Sequence, residues 1–277
     1  MRIGIAQTDP VFGQVERNLV DAAQVASEDA DLWVFPEFFA TGYQFLSREE
    51  AAAWAEDVPS GPTTTALIDF CRQRDCHAVA GLPERDGEAL YNAAVLAGPQ
   101  GLIWCYRKIH LFGDETRYFD PGNRPFSVFD IGGIRVGVMI CFDHLFPEAA
   151  RTLALLGADV IAHPSNLVLP QVAQRTMRVR ALENGVFTAT ANRVGEESRA
   201  GQVLHYTGES QIIAPNGDIL ARLSPDRPEA SVVEIDVSAA RSKRITSRND
   251  KLADRRPEMY RLSSSRQPNQ TKGTDHD

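Results

Sequence analysis

The chain lacks the short signatures behind several common chemistries. It has no G-x-S-x-G and no G-x-x-x-x-G-K-[S/T], which excludes a serine nucleophile elbow and a phosphate-cradling P-loop. Its six histidines are scattered, with no H-E-x-x-H and no tight cluster, so neither a bound metal nor a cofactor is expected. Only four cysteines occur, Cys71, Cys76, Cys105 and Cys141, with no C-x-x-C pair and no paired framework. The opening Met1-Arg2-Ile3-Gly4 carries no signal peptide, so free thiols in a reducing cytoplasm are expected. No apolar run is long enough to cross a bilayer. Positive charge is in deficit. There are 29 Lys and Arg against 37 Asp and Glu, a net −8, which argues against nucleic acid or an anionic membrane as partner.

What is present is an ordinary globular composition, 43% hydrophobic and 24% charged over 277 residues, enough for a large core in one domain or two. Residue patterning predicts strands at 2–7, 32–35, 78–84, 160–164 and 186–191, and helices at 18–30, 63–74, 148–156 and 174–184. Segments 92–96 and 103–106 flank Gly98-Pro99-Gln100-Gly101 and read as a hairpin. Segment 211–214 runs into the turn Pro215-Asn216-Gly217-Asp218, with 231–237 as its return strand. The order strand, helix, strand, helix, then hairpins occurs twice. The letters echo as well: Arg2-Ile3-Gly4-Ile5 matches Arg135-Val136-Gly137-Val138, and residues 30–37 match 158–165. These patterns imply an α/β domain of two similar halves whose sheets pack face to face. The domain is expected to span residues 1–262, with a polar, disordered tail at 263–277.

The stretch 132–143 organises the chain. Val136, Val138, Met139 and Ile140 read as a buried strand that delivers Cys141 to a turn, and Pro147-Glu148 starts a helix. A thiol between a strand end and a helix N-terminus lies in a field that favours thiolate. The competing reading of Cys141 is a small buried hydrophobe. Glu37 follows the 32–35 strand and Lys108 lies in the segment 106–115, which reads as a loop crossing the site face. Ligands bind beyond the carboxyl ends of strands in open α/β sheets, which is where Glu37 and Cys141 fall. A glutamate whose pKa is raised by Phe35, Phe38 and Phe39 would serve as base. A lysine would hold the thiolate and then the oxyanion formed at a carbonyl or nitrile carbon, with the Phe142 N–H as second donor.

Several blocks, in order, carry a resemblance. They are Phe35-Pro36-Glu37, residues 106–112 from Tyr106 to Phe112, Val138-Met139-Ile140-Cys141-Phe142-Asp143, residues 178–184 and residues 249–260. From Met1 to about Leu262 the chain resembles the nitrilase superfamily of carbon–nitrogen hydrolases. The resemblance implies a four-layer α-β-β-α sandwich and a catalytic set of Glu37, Lys108 and Cys141, with a second family glutamate at Glu115. It implies cleavage of non-peptide C–N bonds by a small-molecule amidase that releases ammonia through a cysteine thioester. A nitrilase on small aliphatic nitriles and an N-carbamoyl-amide hydrolase are the alternatives, and a non-catalytic binding scaffold is the alternative of another class. Phe142-Asp143 after the cysteine, in place of Trp-Glu, leans towards amidase branches. Glu115 orients Lys108 or the substrate nitrogen, or is a surface carboxylate paired with Arg117. Asn166 contacts substrate, or forms a turn with Ser165. His144 lines the pocket, or caps the following helix. Phe38, Phe39, Tyr43, Phe112 and Phe146 wall the substrate, or are core. Arg175 and Arg178 hold a substrate carboxylate, or serve an interface. The resemblance also implies a homodimer or higher homo-oligomer through helices 148–156 and 174–184. Ala149, Leu153, Ala154 and Leu156 would form its apolar surface, and segment 247–262 would cross to the other subunit.

Overall fold

The computed structural model describes residues 1–260; the tail expected at 263–277 and the last two residues of the expected domain lie outside the described residues. The first half runs β1 (Arg2–Gln7), α1 (Val15–Val25), β2 (Leu32–Val34), α2 (Arg48–Trp54), β3 (Glu56–Asp57), α3 (Pro62–Arg74), β4 (His77–Asp86), β5 (Ala89–Gly98) and β6 (Gly101–Arg107). After α4 (Glu115–Tyr118) come β7 (Val128–Asp130), β8 (Arg135–Val138), a 3-10 turn (Cys141–Leu145), α5 (Pro147–Leu155), β9 (Val160–Pro164), α6 (Val172–Asn184) and β10 (Phe187–Ala191). Then come β11 (Glu196–Arg199), β12 (Gln202–His205), β13 (Gln211–Ile213), β14 (Ile219–Arg222), β15 (Glu229–Glu234), α7 (Ser238–Arg241) and a second 3-10 turn (Pro257–Met259).

Two sheets carry the fold, one ordered β15-β1-β2-β4-β5-β6 with β3 beside β4, the other ordered β14-β13-β10-β9-β8-β7. Each has three parallel strands at its centre, β1-β2-β4 and β8-β9-β10. Each is flanked by antiparallel strands, β5-β6 with β15 and β13-β14 with β7. The two sheets are therefore the same pattern built twice. Apart from the extra strand β3, they differ in one connection: β7 directly precedes β8, whereas β15, the partner of β1, arrives from far along the chain.

Strand periodicity sorts side chains into layers. Ile3, Ile5, Leu32, Val34, Val136, Val138, Val160 and Ala162 fill the space between the sheets. Ala6, Trp33, Ala78 and Ala80 face outward, under α1 and α3. Met139, Ile161 and Val186 pack with Leu153 and Met177 beneath α5 and α6. This is the four-layer α-β-β-α sandwich. The echoed glycines have a physical cause in it. A Cβ at Gly4 would lie 2.5 Å from the Trp33 ring, and one at Gly137 would lie 2.7 Å from Leu153. Both strands leave a gap on the outer face for a large neighbour.

Three expectations change. The hairpin from β13 returns through β14, and the strand expected at 231–237 instead pairs with β1 in the other sheet. Residues 196–205 form an unforeseen two-stranded hairpin, β11-β12. Leu153 and Ala154 point into their own core and Ala149 is fully buried, so these three do not form a surface for a second subunit. The exposed apolar residues on these helices are Leu155 and Leu156 at the end of α5, and Val179 and Leu182 on α6. No helix among the described residues is long and apolar enough to cross a membrane.

Candidate active site

Three strand ends deliver the expected set. Glu37 follows β2 after Pro36, Lys108 directly follows β6, and Cys141 opens the 3-10 turn beyond β8. Two glycines hold the first two in place. A Cβ at Gly81 on β4 would lie 2.5 Å from Glu37 Cα. A Cβ at Gly122 would lie 2.1 Å from the Arg107 carbonyl oxygen, and the Gly122 N–H donates to Lys108 O at 2.9 Å. Only a residue without a side chain permits such approaches.

Glu37 and Lys108 are both 0% exposed and meet at 2.8 Å, Nζ to Oε1. Lys108 Nζ also donates to Glu115 Oε1 at 2.8 Å. An ammonium has three donors, so one is left for a ligand. Asn92 Nδ2 donates to Glu37 Oε1 at 2.7 Å, which anchors that oxygen twice. Among the described residues, Glu37 Oε2 has no partner. Burial raises the Glu37 pKa, against the pull of Lys108. Burial works against the Lys108 ammonium, but Glu115 and Glu37 outweigh it and hold its pKa above the ordinary lysine value.

Glu115 is only 4% exposed, and it is no surface carboxylate. Tyr43 OH donates to its Oε1 at 2.7 Å and the Phe112 N–H to its Oε2 at 3.2 Å. Arg117 pairs with Asp114 instead.

Cys141 sits at φ +40°, a strained conformation for a residue with a side chain. Its surroundings enforce it. Asp143 Oδ2 accepts from the Ile140 N–H and from Tyr106 OH, both at 2.8 Å. His163 Nε2 lies 2.9 Å from Cys141 O, and its Nδ1 lies 3.0 Å from Thr190 Oγ1. Donation by Nε2–H to the carbonyl and acceptance by Nδ1 satisfy both, which assigns the neutral tautomer. Burial pushes the Cys141 thiol well above the ordinary cysteine value, Glu37 adds to this, and Lys108 opposes it. The expected helix-terminus field favouring thiolate is thus overruled by desolvation. The thiol donates to Asn166 O at 3.9 Å.

Cys141 opens onto a cleft lined by Phe112, Phe142, His144, Leu145, Asn166, Leu167, Val168, Leu169, Val172 and Ala173. Asn166 is buried there, and neither atom of its side-chain amide has a partner among the described residues. His144 shares the cleft and meets Thr176 Oγ1 at 2.6 Å through Nδ1. Burial, with Arg180 beside it, lowers its pKa to about 4, so it is neutral near pH 7. Phe35 and Phe39 pack together at 5.3 Å under the outer helices rather than walling the site. Phe38 joins an aromatic cluster with Phe45 and Phe119, and Phe146 stacks on His110 at 3.6 Å. Arg175 and Arg178 are exposed on α6, and neither lines the cleft. The supporting contacts of Asn92, Asp143 and His163 escaped the sequence reading. Their hydrogen bonds join residues up to 55 positions apart, which no local pattern records.

A family model described as carbon-nitrogen hydrolase matches residues 2–245. A nitrilase from Pyrococcus abyssi (strain GE5 / Orsay) is 48% identical over 264 residues, 94% of this chain and 99% of that one. An (R)-stereoselective amidase from Pseudomonas sp is 34% identical over 92% of each chain. The crystal structure of an amidase from Nesterenkonia sp. matches with a TM-score of 0.76 at 28% identity, covering 93% of this chain and 94% of that one. Sequence, fold and relatives agree from one end of the sandwich to the other: the chain belongs to the carbon–nitrogen hydrolases of the nitrilase superfamily.

Proposed function

We propose that the chain is a small-molecule amidase that releases ammonia through a thioester on Cys141. The observation that carries this reading is the split role of the Glu37 carboxylate, with Oε1 held by Lys108 and Asn92 and Oε2 left open. Oε2 takes the Cys141 proton as sulfur attacks the carbonyl carbon. The third donor of Lys108 and the Phe142 N–H hold the oxyanion. Glu37 returns the proton to the leaving nitrogen, and ammonia departs. Glu37 then takes a proton from water, hydroxide adds to the thioester, and the acid leaves as the thiol is restored. Glu115 fixes Lys108. Asn166 offers its free amide to the substrate, and the apolar cleft walls favour a compact, uncharged acyl group. In a glutamate-to-glutamine mutant of the amidase from Nesterenkonia sp. AN1, the acetamide moiety of fluoroacetamide adds covalently at the active-site cysteine, which supports the same role for Cys141.

A nitrile substrate is the second reading, favoured by the 48% identity to the Pyrococcus abyssi nitrilase. A carbamoyl acid loses its support, because Arg175 and Arg178 stand away from the cleft. The exposed apolar residues Leu155, Leu156, Val179 and Leu182 support a homodimer through α5 and α6. Four free cysteines fit a reducing compartment such as the cytoplasm.

Ammonia release measured over small amides, nitriles and carbamoyl compounds tests the substrate class. Cys141→Ala is expected to abolish turnover with little change in melting temperature. Ammonia released by the purified variant at the wild-type rate would reject the nucleophile.

A further inference from the structure

The hairpin β11-β12 stands outside both main sheets, yet it grips the loop that carries Tyr43. Glu197 on β11 is buried. Its carboxylate accepts from the Tyr43 N–H at 3.0 Å and from the Gln44 N–H at 2.7 Å. Arg193, wholly buried, donates to the same carboxylate and stacks 3.9 Å over the Tyr206 ring. Arg199, two residues along β11, donates to Gln44 O at 2.8 Å and pairs with Glu50 at 2.7 Å. Gly42 is what lets the carboxylate in: a Cβ there would lie 2.8 Å from Glu197 Oε1. The other end of Tyr43 is its hydroxyl, 2.7 Å from Glu115 Oε1, the same oxygen that receives Lys108 Nζ.

We propose that Glu197, backed by Arg193, is a positioning residue for the reaction: by clamping the backbone at Tyr43 and Gln44 it keeps the Tyr43 hydroxyl on Glu115, and so keeps Glu115 on Lys108. The clamp rests on the reading of Glu37, Lys108 and Cys141 as the reacting set. Its logic is mechanical. A tyrosine hydroxyl at the end of a long side chain moves by more than an ångström when its backbone shifts, and displacements of that size cost rate. Two backbone N–H groups on one carboxylate fix both position and tilt. The guanidinium holds that carboxylate aimed at the two N–H groups.

The reactivity of Cys141 reads out the clamp without a known substrate. The groups facing Lys108 are Glu37, Glu115 and Cys141, with Tyr43, His144 and His163 close behind. Alkylation of the full-length protein by iodoacetamide is followed at Cys141 by peptide mass mapping, from about pH 6 to about pH 10, a window above both histidine transitions. Glu197→Gln and Tyr43→Phe are each expected to slow alkylation at neutral pH about ten-fold or more. Each is expected to stay slower than the wild type across the whole window, because the thiol, already held protonated by burial, loses the steadying cation. The double variant is expected to go no further than either single variant. Glu196→Gln, an exposed neighbour on β11, is expected to match the wild type. A lower melting temperature with an unchanged profile in Glu197→Gln would mean that the residue only neutralises Arg193, and would overturn the proposal. So would single effects that multiply in the double variant. Should Glu197→Gln fail to fold, Glu197→Asp keeps the charge but is one methylene too short to reach both N–H groups; a wild-type profile there overturns the proposal equally. A wild type whose Cys141 reacts no faster than Cys71, Cys76 and Cys105 would instead sink the underlying assignment of the reacting set.

Discussion

Cys141 carries its proton at rest, because burial and Glu37 both resist a second negative charge at this point. In the proposed mechanism its nucleophilicity is therefore borrowed, at the moment of attack, from the open oxygen of Glu37. Glu37→Gln keeps the shape and removes the base, and is expected to lower kcat about 10²- to 10⁴-fold, checked by ammonia release. Two buried histidines bear on stability rather than chemistry. His163 titrates near 3 and His144 near 4 in the fold, both depressed by burial from an ordinary value near 6.5. Between these limits the unfolded chain binds protons that the folded chain refuses. Folding free energy is therefore full above about pH 6.5 and falls as the medium is acidified, by ~3 kcal/mol per histidine near pH 4. Urea melts of His163→Gln against wild type across that interval are expected to show a shallower loss in the variant. Glu37 and Cys141 were legible in the string as candidates because each falls shortly past a strand end, and Lys108 because it lies in a segment that carries the family resemblance. Tyr43 and Asn92 were not, since what matters about them is the distant partner each one reaches.

Elements place these groups through close backbone approach. Gly81 lets β4 run against the Glu37 backbone, and Gly122 lets its loop fold over Lys108. Gly81→Ala is expected to displace Glu37, costing about 1–3 kcal/mol of stability and a larger share of activity, measured by denaturant unfolding and ammonia release. The parallel strands and long helices were readable from apolar runs, terminal glycines and Pro at helix starts. The β11-β12 hairpin was not. Its residues Glu196 to Arg199 and Gln202 to His205 are mostly polar, and its single buried group is a glutamate. The partner of β15 was unreadable for another reason. Alternation marks a strand but not the sheet it joins, so 231–237 looked like the near return of β13.

At the scale of the whole molecule, the two halves share a strand order and meet across one continuous apolar layer, so the site at their junction depends on both. The exposed apolar ends of α5 and α6 extend that argument to a second copy. Leu155→Glu with Leu182→Glu is expected to convert the proposed dimer to a monomer in light scattering, with folding intact because neither side chain belongs to the core. A concentration-independent monomer in the wild type would remove the dimer. The route of β15 has a consequence for synthesis. The sheet that holds Glu37 and Lys108 contains β1, which leaves the ribosome long before residues 229–234 arrive to complete it. Until these emerge, the nascent polypeptide presents an unpaired, apolar β1 border, an invitation to wrong partners. Ribosome-arrested chains whose residue 229 is still inside the exit tunnel are accordingly expected to be cut by protease within their N-terminal half, and chains whose residue 234 has emerged to resist.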